Sequence, residues 1–286
     1  MALTIRILKP TRLIIVFDGA NGSKRRKKIY PQYKSGRGKG LRLNRAYNWS
    51  TAEEEQKNMI LQLKRTISYL KKLPITIITI DNIEADDVIG YLAREMCNEE
   101  VYISSSDKDF YQLITEKVKV WNPISKTVID INTAREKFGG IHPKNILLFR
   151  SIDGDKSDNV KGIKGFGIKT TTKYFPMLLG NNECTIDQLV EHSKRNIENG
   201  KKYKDLLDNV PMVELNYKIC QLAESNISTS AKFKIMDHYR TKPIRTDLIT
   251  IKKMYIRDKI WTSIKDINSW LNENFSYLNS FAKTKL

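Results

Sequence analysis

The chain has 286 residues, 40% of them apolar, with 13 Tyr, 9 Phe and 4 Trp, enough to bury one large core or two modest ones. No apolar run approaches the roughly 18 residues of a membrane span, and M-A-L-T-I-R-I-L-K-P is too short and too broken by Arg6 and Lys9 to read as a secretory signal. Fifty Lys and Arg against 32 Asp and Glu give a net charge of +18, which points to a polyanionic partner.

In chain order, the β-branched run R-L-I-I-V-F-D (12–18) predicts a strand ending in acid. From Ala20 to about Leu73 the chain is longer than a crossover requires, so an elaborated insertion is expected. It carries Lys24, Arg25, Arg26, Lys27, Lys28, Lys34, Arg37, Lys39, Arg42 and Arg45 among Tyr30, Tyr33, Tyr47 and Trp49, with no acid between Asp18 and Glu53. Its second half, opening T-A-E-E-E, predicts a helix with acids in the first turns and bases at the end. P-I-T-I-I-T-I-D (74–81) and V-Y-I-S-S-S-D (101–107) are two more strands ending in acid, and A-D-D-V-I-G-Y-L-A-R-E-M between them has helical spacing. Residues 118–131 predict a hairpin turning at Asn122 and Pro123, followed by one short helix with a capping box of Thr133 and Glu136 and another after His142-Pro143. Beyond residue 180 the pattern is helical and charged, without a motif. Cys97, Cys184 and Cys220 lack C-x-x-C spacing, so neither a disulfide framework nor a zinc site is indicated and a reducing cytoplasm is expected.

Buried parallel strands present their reactive groups at their carboxyl ends. Asp18, Glu84, Asp86, Asp87, Asp107 and Asp109 are therefore expected to converge, with Asp155 and Asp158 of I-D-G-D-K-S-D-N joining them. Standing alone, Asp86 and Asp87 suit a helix N-terminus and Asp107 or Asp109 an N-cap. Together, eight carboxylates repel unless cations lie among them, and hard oxygen ligands select Mg²⁺ or Mn²⁺. Two such ions suit in-line displacement at phosphorus, here phosphodiester hydrolysis. In N-V-K-G-I-K-G-F-G-I-K-T-T-T-K-Y-F (159–175), Gly162, Gly165 and Gly167 predict a tight hairpin before a helix, whose backbone N–H groups suit phosphate, with Lys164, Lys169 and Lys173 adding charge. Such a hairpin grips the DNA backbone without reading bases.

Taken together, V-F-D-G, Y-P-Q-Y-K-S-G-R (30–37), I-E-A-D-D (83–87), S-S-D-K-D-F (105–110) and G-D-K-S-D-N-V-K-G-I-K-G-F-G (154–167) resemble the flap endonuclease or 5′-nuclease family, similar to bacteriophage 5′-exonucleases and the N-terminal nuclease domain of bacterial DNA polymerase I. The likeness runs from about residue 3 to 180. It implies an α/β core with a mostly parallel sheet over residues 1–140, a helical arch at 20–73, and a helical DNA-binding region at 141–286 with a helix-hairpin-helix at 159–175. It implies two Mg²⁺ or Mn²⁺ ions, the first held by Asp18, Glu84, Asp86, Asp87, Asp107 and Asp109, the second by Asp155 and Asp158, and K⁺ at the glycine hairpin. Lys34 and Arg37 would touch the scissile phosphate and Tyr33 would stack on a base. The implied substrate is DNA with a 5′ flap or 5′ end, or an RNA–DNA hybrid, cut by a cytoplasmic monomer, within the bacterial host if phage-encoded, alongside replication proteins. One departure is expected: the family's first strand, of the type I-D-G-N, and its Asp have no match here. The competing expectation is therefore a structure-specific DNA-binding protein that cuts poorly. A dehalogenase-type phosphatase would need D-x-D where the chain has V-F-D-G-A.

Overall fold

The computed structural model describes residues 1–35, 50–96, 98–222 and 227–284. Its elements in chain order are α1 (Ala2–Leu8), β1 (Ile14–Phe17), α2 (Lys24–Ile29), α3 (Ala52–Leu70), β2 (Thr76–Thr79), α4 (Ala85–Glu95), β3 (Val101–Ser104), β4 (Val118–Asn122), β5 (Thr127–Ile129), α5 (Ile131–Lys137), α6 (Pro143–Asp153), α7 (Ile168–Tyr174), α8 (Ile186–Arg195), α9 (Lys201–Leu207), α10 (Val210–Cys220), α11 (Thr229–Arg240), α12 (Leu248–Arg257) and α13 (Ile267–Phe281). They form two compact units, each discontinuous in sequence, so the division does not fall at residue 140. The first comprises Met1–Phe17, Gly38–Ile80 and Thr229–Leu286, the second Asp18–Arg37 and Asp81–Ser228.

In the first unit β1 and β2 pair in parallel, Ile14 opposite Thr76 and Phe17 opposite Thr79. Its core is Ile5, Leu70, Leu73, Ile75, Ile251, Leu271, Phe275 and Leu278. Thr51 caps α3 by accepting from the Glu54 amide at 3.2 Å, and Glu53, Glu54 and Glu55 fill its first turn as expected, but the expected bases do not fall in its last turn. Arg65 and Tyr69 on α3 both donate to Asp258, at 2.5 and 2.8 Å.

In the second unit β3 and β4 are parallel and β5 returns antiparallel, closing the hairpin expected at 118–131. Asn122 shapes its turn by accepting from the amides of Ile124 and Ser125. The core gathers Ile103, Val120 and Ile129 from the sheet with Ile146, Phe149, Leu189 and Val213 from the helices and Phe138, Phe166 and Phe175 from the turns beside them.

Two expectations need correction. The parallel strands lie in two short sheets, β1-β2 and β3-β4-β5, rather than one, and among the described residues no further strand joins either. The cap of α5 is not Thr133: Asp130 starts the helix by accepting from the Thr133 amide at 2.9 Å, one helical turn earlier. His142 with Pro143 at the first helical position does open α6. No helix of the described residues is long and apolar enough to cross a membrane.

Candidate active site

The second unit brings most of the singled-out carboxylates around one cleft, which is lined by Asp86, Asp107, Asp109, Asp155 and Asp158 together with Arg26, Tyr33 and Cys220. Asp86 sits in the first turn of α4. Asp107 begins the 3₁₀ turn Lys108–Leu113 by accepting from the Asp109 amide at 2.9 Å, so the N-cap reading and a place in the cleft are both satisfied by one residue. Asp155 and Val160 exchange backbone hydrogen bonds at 2.8 and 2.7 Å, which folds K-S-D-N between them into a tight turn. The Asp155 carboxylate accepts from the amide and hydroxyl of Ser157 at 2.8 and 2.7 Å.

Three of the eight carboxylates are used elsewhere. Asp18 accepts from the Ala85 amide at 2.8 Å, satisfying an exposed donor at the start of α4. Glu84 and Asp87 are buried, 4% and 2% exposed, against the equally buried Arg26. The Arg26 guanidinium donates to Glu84 and, at 2.7 and 2.8 Å, to both oxygens of Asp87, while its Nε donates to the Ile219 carbonyl at 2.8 Å. Burial pushes the Glu84 carboxyl up, but Arg26 and Lys34 outweigh it and hold the group below its ordinary value.

Lys34 is brought in by the backbone. Its amide donates to the Asp158 carbonyl at 2.8 Å, and Asn159 ties the same loop through the Gln32 carbonyl and the Ser35 hydroxyl, each at 3.0 Å. Its ammonium lies 2.5 Å from Glu84, 4.0 Å from Asp158 and 4.9 Å from the Tyr33 ring centroid. Tyr33 is 4% exposed, so its ring packs in the site's wall rather than standing out to stack on a base. Arg37 lies outside the described residues, as do Lys39, Arg42, Arg45, Tyr47 and Trp49.

Across the cleft, Arg150 from α6 donates to Asp109 at 3.0 Å and to Asp155 at 2.7 Å, joining the two acidic motifs through one side chain. Burial nevertheless pushes Asp109 up to about 6, with Arg150 opposing and Asp107 and Asp155 adding. Burial also pushes Asp86 up to about 6, opposed by Lys34. Buried negative charge in excess of its partners is the condition a divalent cation relieves, and the donors are hard oxygens. The Cys220 thiol, pushed to about 12 by burial, stays protonated and is no ligand. As arranged, no three His, Cys, Asp or Glu side chains among the described residues close on a common point, but the cleft's chemistry fits Mg²⁺ or Mn²⁺ held by Asp86, Asp107, Asp109, Asp155 and Asp158.

Sequence reasoning missed Arg26 and Arg150. Arg26 was hidden in a run of five cations. Arg150 had a signal: it is the lone cation in the apolar stretch I-L-L-F-R-S-I (146–152).

The glycines of 154–167 differ in what they do. A Cβ on Gly162 would stand 1.9 Å from the Asp153 carbonyl oxygen, so only glycine lets the hairpin abut the end of α6. Gly154 and Gly165 take φ of +78° and +80°. Gly167 has φ −84° and open space about its Cα. Lys164 and Lys169 are exposed. Within the hairpin, where the resemblance implies K⁺, the carbonyl of Lys164 accepts from the Lys202 ammonium at 2.9 Å.

Residues 1–139 match the model of the 5′-3′ exonuclease N-terminal, resolvase-like domain. Over this part the chain is similar to the 5′-3′ exonuclease family. A protein named 5′-3′ exonuclease from Buchnera aphidicola is 29% identical over 214 residues, 74% of this chain and 68% of its own length. Another of that name from Aquifex aeolicus is 37% identical over 164 residues, so that 57% of this chain spans 51% of it. One named flap endonuclease Xni, from Shewanella piezotolerans, is 28% identical, with 76% of each chain covered. Among solved structures, T5 5′-exonuclease with bound zinc superimposes with a TM-score of 0.67 at 18% identity, covering 83% of this chain and 86% of that one. The α/β fold of that structure is thus present, with the strands in two short sheets.

Proposed function

We propose that this chain is a divalent-metal-dependent, structure-specific 5′-nuclease, hydrolysing phosphodiesters of DNA that carries a 5′ flap or 5′ end. The observation that carries the reading is the cleft of five carboxylates, two of them pushed up to about 6 by burial, with Lys34 beside it. The match of residues 1–139 to the 5′-3′ exonuclease N-terminal domain, with relatives named for exonuclease and flap endonuclease activity, supports it. When bound, two Mg²⁺ or Mn²⁺ ions supply Lewis-acid charge for the attack of water at phosphorus. Asp86, Asp107 and Asp109 would hold one ion, and Asp155 and Asp158 the other. Glu84 holds the Lys34 ammonium at the cleft, where it meets a non-bridging phosphate oxygen. Arg26 and Tyr33 keep that pair in place from behind, and Arg150 fixes the distance between the two acidic motifs. The glycine hairpin with Lys164 and Lys169 holds duplex away from the cut. RNA–DNA hybrids are further substrates, and the chain works as a cytoplasmic monomer beside replication proteins.

The test is a 5′-labelled flap duplex incubated in Mg²⁺ and in EDTA, with products resolved by length. Metal-dependent cutting near the junction is expected. Lys34→Ala should slow single-turnover cutting by at least about tenfold while changing duplex affinity less than about threefold, the pattern of an interaction made with the reacting phosphate. Binding without cutting in Mg²⁺ would replace the proposal with the DNA-binding reading, which the commitment of Glu84 and Asp87 to Arg26 would then explain.

A further inference from the structure

Three interactions of Lys202 meet at the underside of the glycine hairpin. Its ammonium donates to the Lys164 carbonyl at 2.9 Å, lies 4.9 Å from the centroid of the buried Phe166 ring, and is held by Asp205 at 2.9 Å. Lys202 stands on α9, which is seated by Leu206, 1% exposed, and by Tyr203, whose ring packs edge-on against Tyr174, Phe175 and His192. The cation is therefore delivered to the turn from a docked helix rather than from a free surface chain.

The consequence lies in the peptide group between Lys164 and Gly165. The chain contains no cis peptide among its described residues, and in a trans peptide the C=O and N–H point in opposite directions. With its carbonyl held toward α9, this peptide turns the Gly165 N–H to the outer side of the hairpin. Gly165 meets that orientation with φ +80°, in the left-handed region, and a Cβ there would stand 3.0 Å from the Lys202 ammonium. An outward backbone N–H flanked by the exposed Lys164 and Lys169 suits a phosphate oxygen. We propose that Lys202 is a built-in cation that sets this peptide for the DNA backbone, so that the hairpin grips duplex without an exchangeable ion. Lys202 is thus a positioning residue acting through Gly165, and the inference rests on the DNA-binding reading above.

The test uses Lys202→Met, which keeps the stem over Phe166 and removes the charge, and Lys202→Arg, which can still donate to the carbonyl. Hydrogen exchange of the full chain without DNA should become faster over residues 162–167 in Lys202→Met and return toward wild type in Lys202→Arg. Unchanged exchange in Lys202→Met overturns the proposal whether or not the chain binds DNA. On a blunt 20-base-pair duplex, Lys202→Met should lose about tenfold in affinity, on the order of one charge-assisted hydrogen bond, with the slope of log affinity against log salt unchanged. Lys169→Met, removing a direct phosphate contact, should lower that slope by about 1. A slope change of that size in Lys202→Met makes Lys202 a phosphate ligand and sinks the positioning role. Wild-type affinity should be equal in potassium and sodium chloride at one concentration; a requirement for potassium overturns the built-in cation. A wild type that binds no duplex refutes the DNA-binding reading and leaves the exchange result to decide the conformational one.

Discussion

The carboxylate cleft and the glycine hairpin are neighbours in sequence, yet they hold their shapes by opposite means. Around the cleft, charged side chains from distant segments fix one another: Arg26 to Glu84 and Asp87, Arg150 to Asp109 and Asp155. In the hairpin, backbone lies on backbone, Gly162 against the Asp153 carbonyl and Gly154 against Gly162 itself. The first arrangement responds to protons, ions and loss of a partner. The second responds to one added methyl group and to little else. Within the cleft the same contrast recurs between Glu84 and Asp86, two residues apart and so on different sides of the helix start. Glu84 turns to Arg26 and Lys34 and is held below its ordinary value; Asp86 turns to the cleft and is pushed up to about 6.

The largest effect on stability is expected at Arg26. Arg26→Met removes the one guanidinium that meets both buried carboxylates, Glu84 and Asp87, and breaking a buried pair in this way costs about 3–5 kcal/mol. Arg25 also meets Asp87, at 3.2 Å, but is 27% exposed, so Arg25→Met should cost less than about 1 kcal/mol. Urea unfolding of the two variants measures the difference. Equal costs would mean that the buried guanidinium is not what holds the α2 segment to α4.

Asp86→Asn should separate function from stability. Cleavage should fall by more than the about 10–100-fold typical of a group that merely supports a ligand. Stability in EDTA should move the other way. The folded value near 6 lies above the ordinary carboxylate value, so the folded chain holds this proton more tightly. The contribution to stability is complete below about pH 4 and is lost as pH rises through about 6. At pH 8 the ionised group costs up to about 3 kcal/mol, from a shift of about two units, and the neutral amide removes that cost. Asp86→Asn should therefore melt higher than wild type in EDTA at pH 8, converge with it near pH 4, and lose its advantage in Mg²⁺ because the cation favours the ionised form. A variant that melts lower at pH 8 in EDTA would assign Asp86 to the fold.

These contrasts mark what the sequence could tell. The strands, the acidic endings, the starts of α3 and α6 and the hairpin of β4 and β5 follow from patterns within a few residues of each other. The acids were legible as a group because Asp18, Glu84 and Asp107 each come just after an apolar run and the others lie close behind them or in I-D-G-D-K-S-D-N. Their division was not, since it depends on which way side chains point and on Arg26 and Arg150, which reach Asp87 and Asp109 from 61 and 41 residues away in the chain. The N-cap of α5 was misplaced because Asp130 and Thr133 are both competent caps and only the path of β5 decides. Tyr33 reads as a surface aromatic among lysines, and its burial comes from Val160 and Ile219, far along the chain.

In the hairpin, Gly162→Ala places a methyl group against a backbone carbonyl that has no rotamer to yield, at a cost of about 1–3 kcal/mol. The loss should be the same in EDTA and Mg²⁺ and at pH 6 and 8, unlike that of any cleft variant. A metal-dependent cost would show that the hairpin and the cleft share their support.

Gly167→Ala should have the smallest effect on stability and is informative for that reason. The residue has φ −84°, which alanine adopts readily, and nothing lies within 4 Å of the added Cβ. Melting should change by less than about 0.5 kcal/mol in either direction. The free chain therefore gives no reason for glycine here, and a reason must come from something that approaches in the bound state. If duplex affinity falls while melting does not, the DNA backbone passes within contact of this Cα, because the methyl group has no other partner to disturb. If both stay unchanged, the contact surface ends before Gly167, and the grip rests on the turn at Gly165 and its flanking lysines.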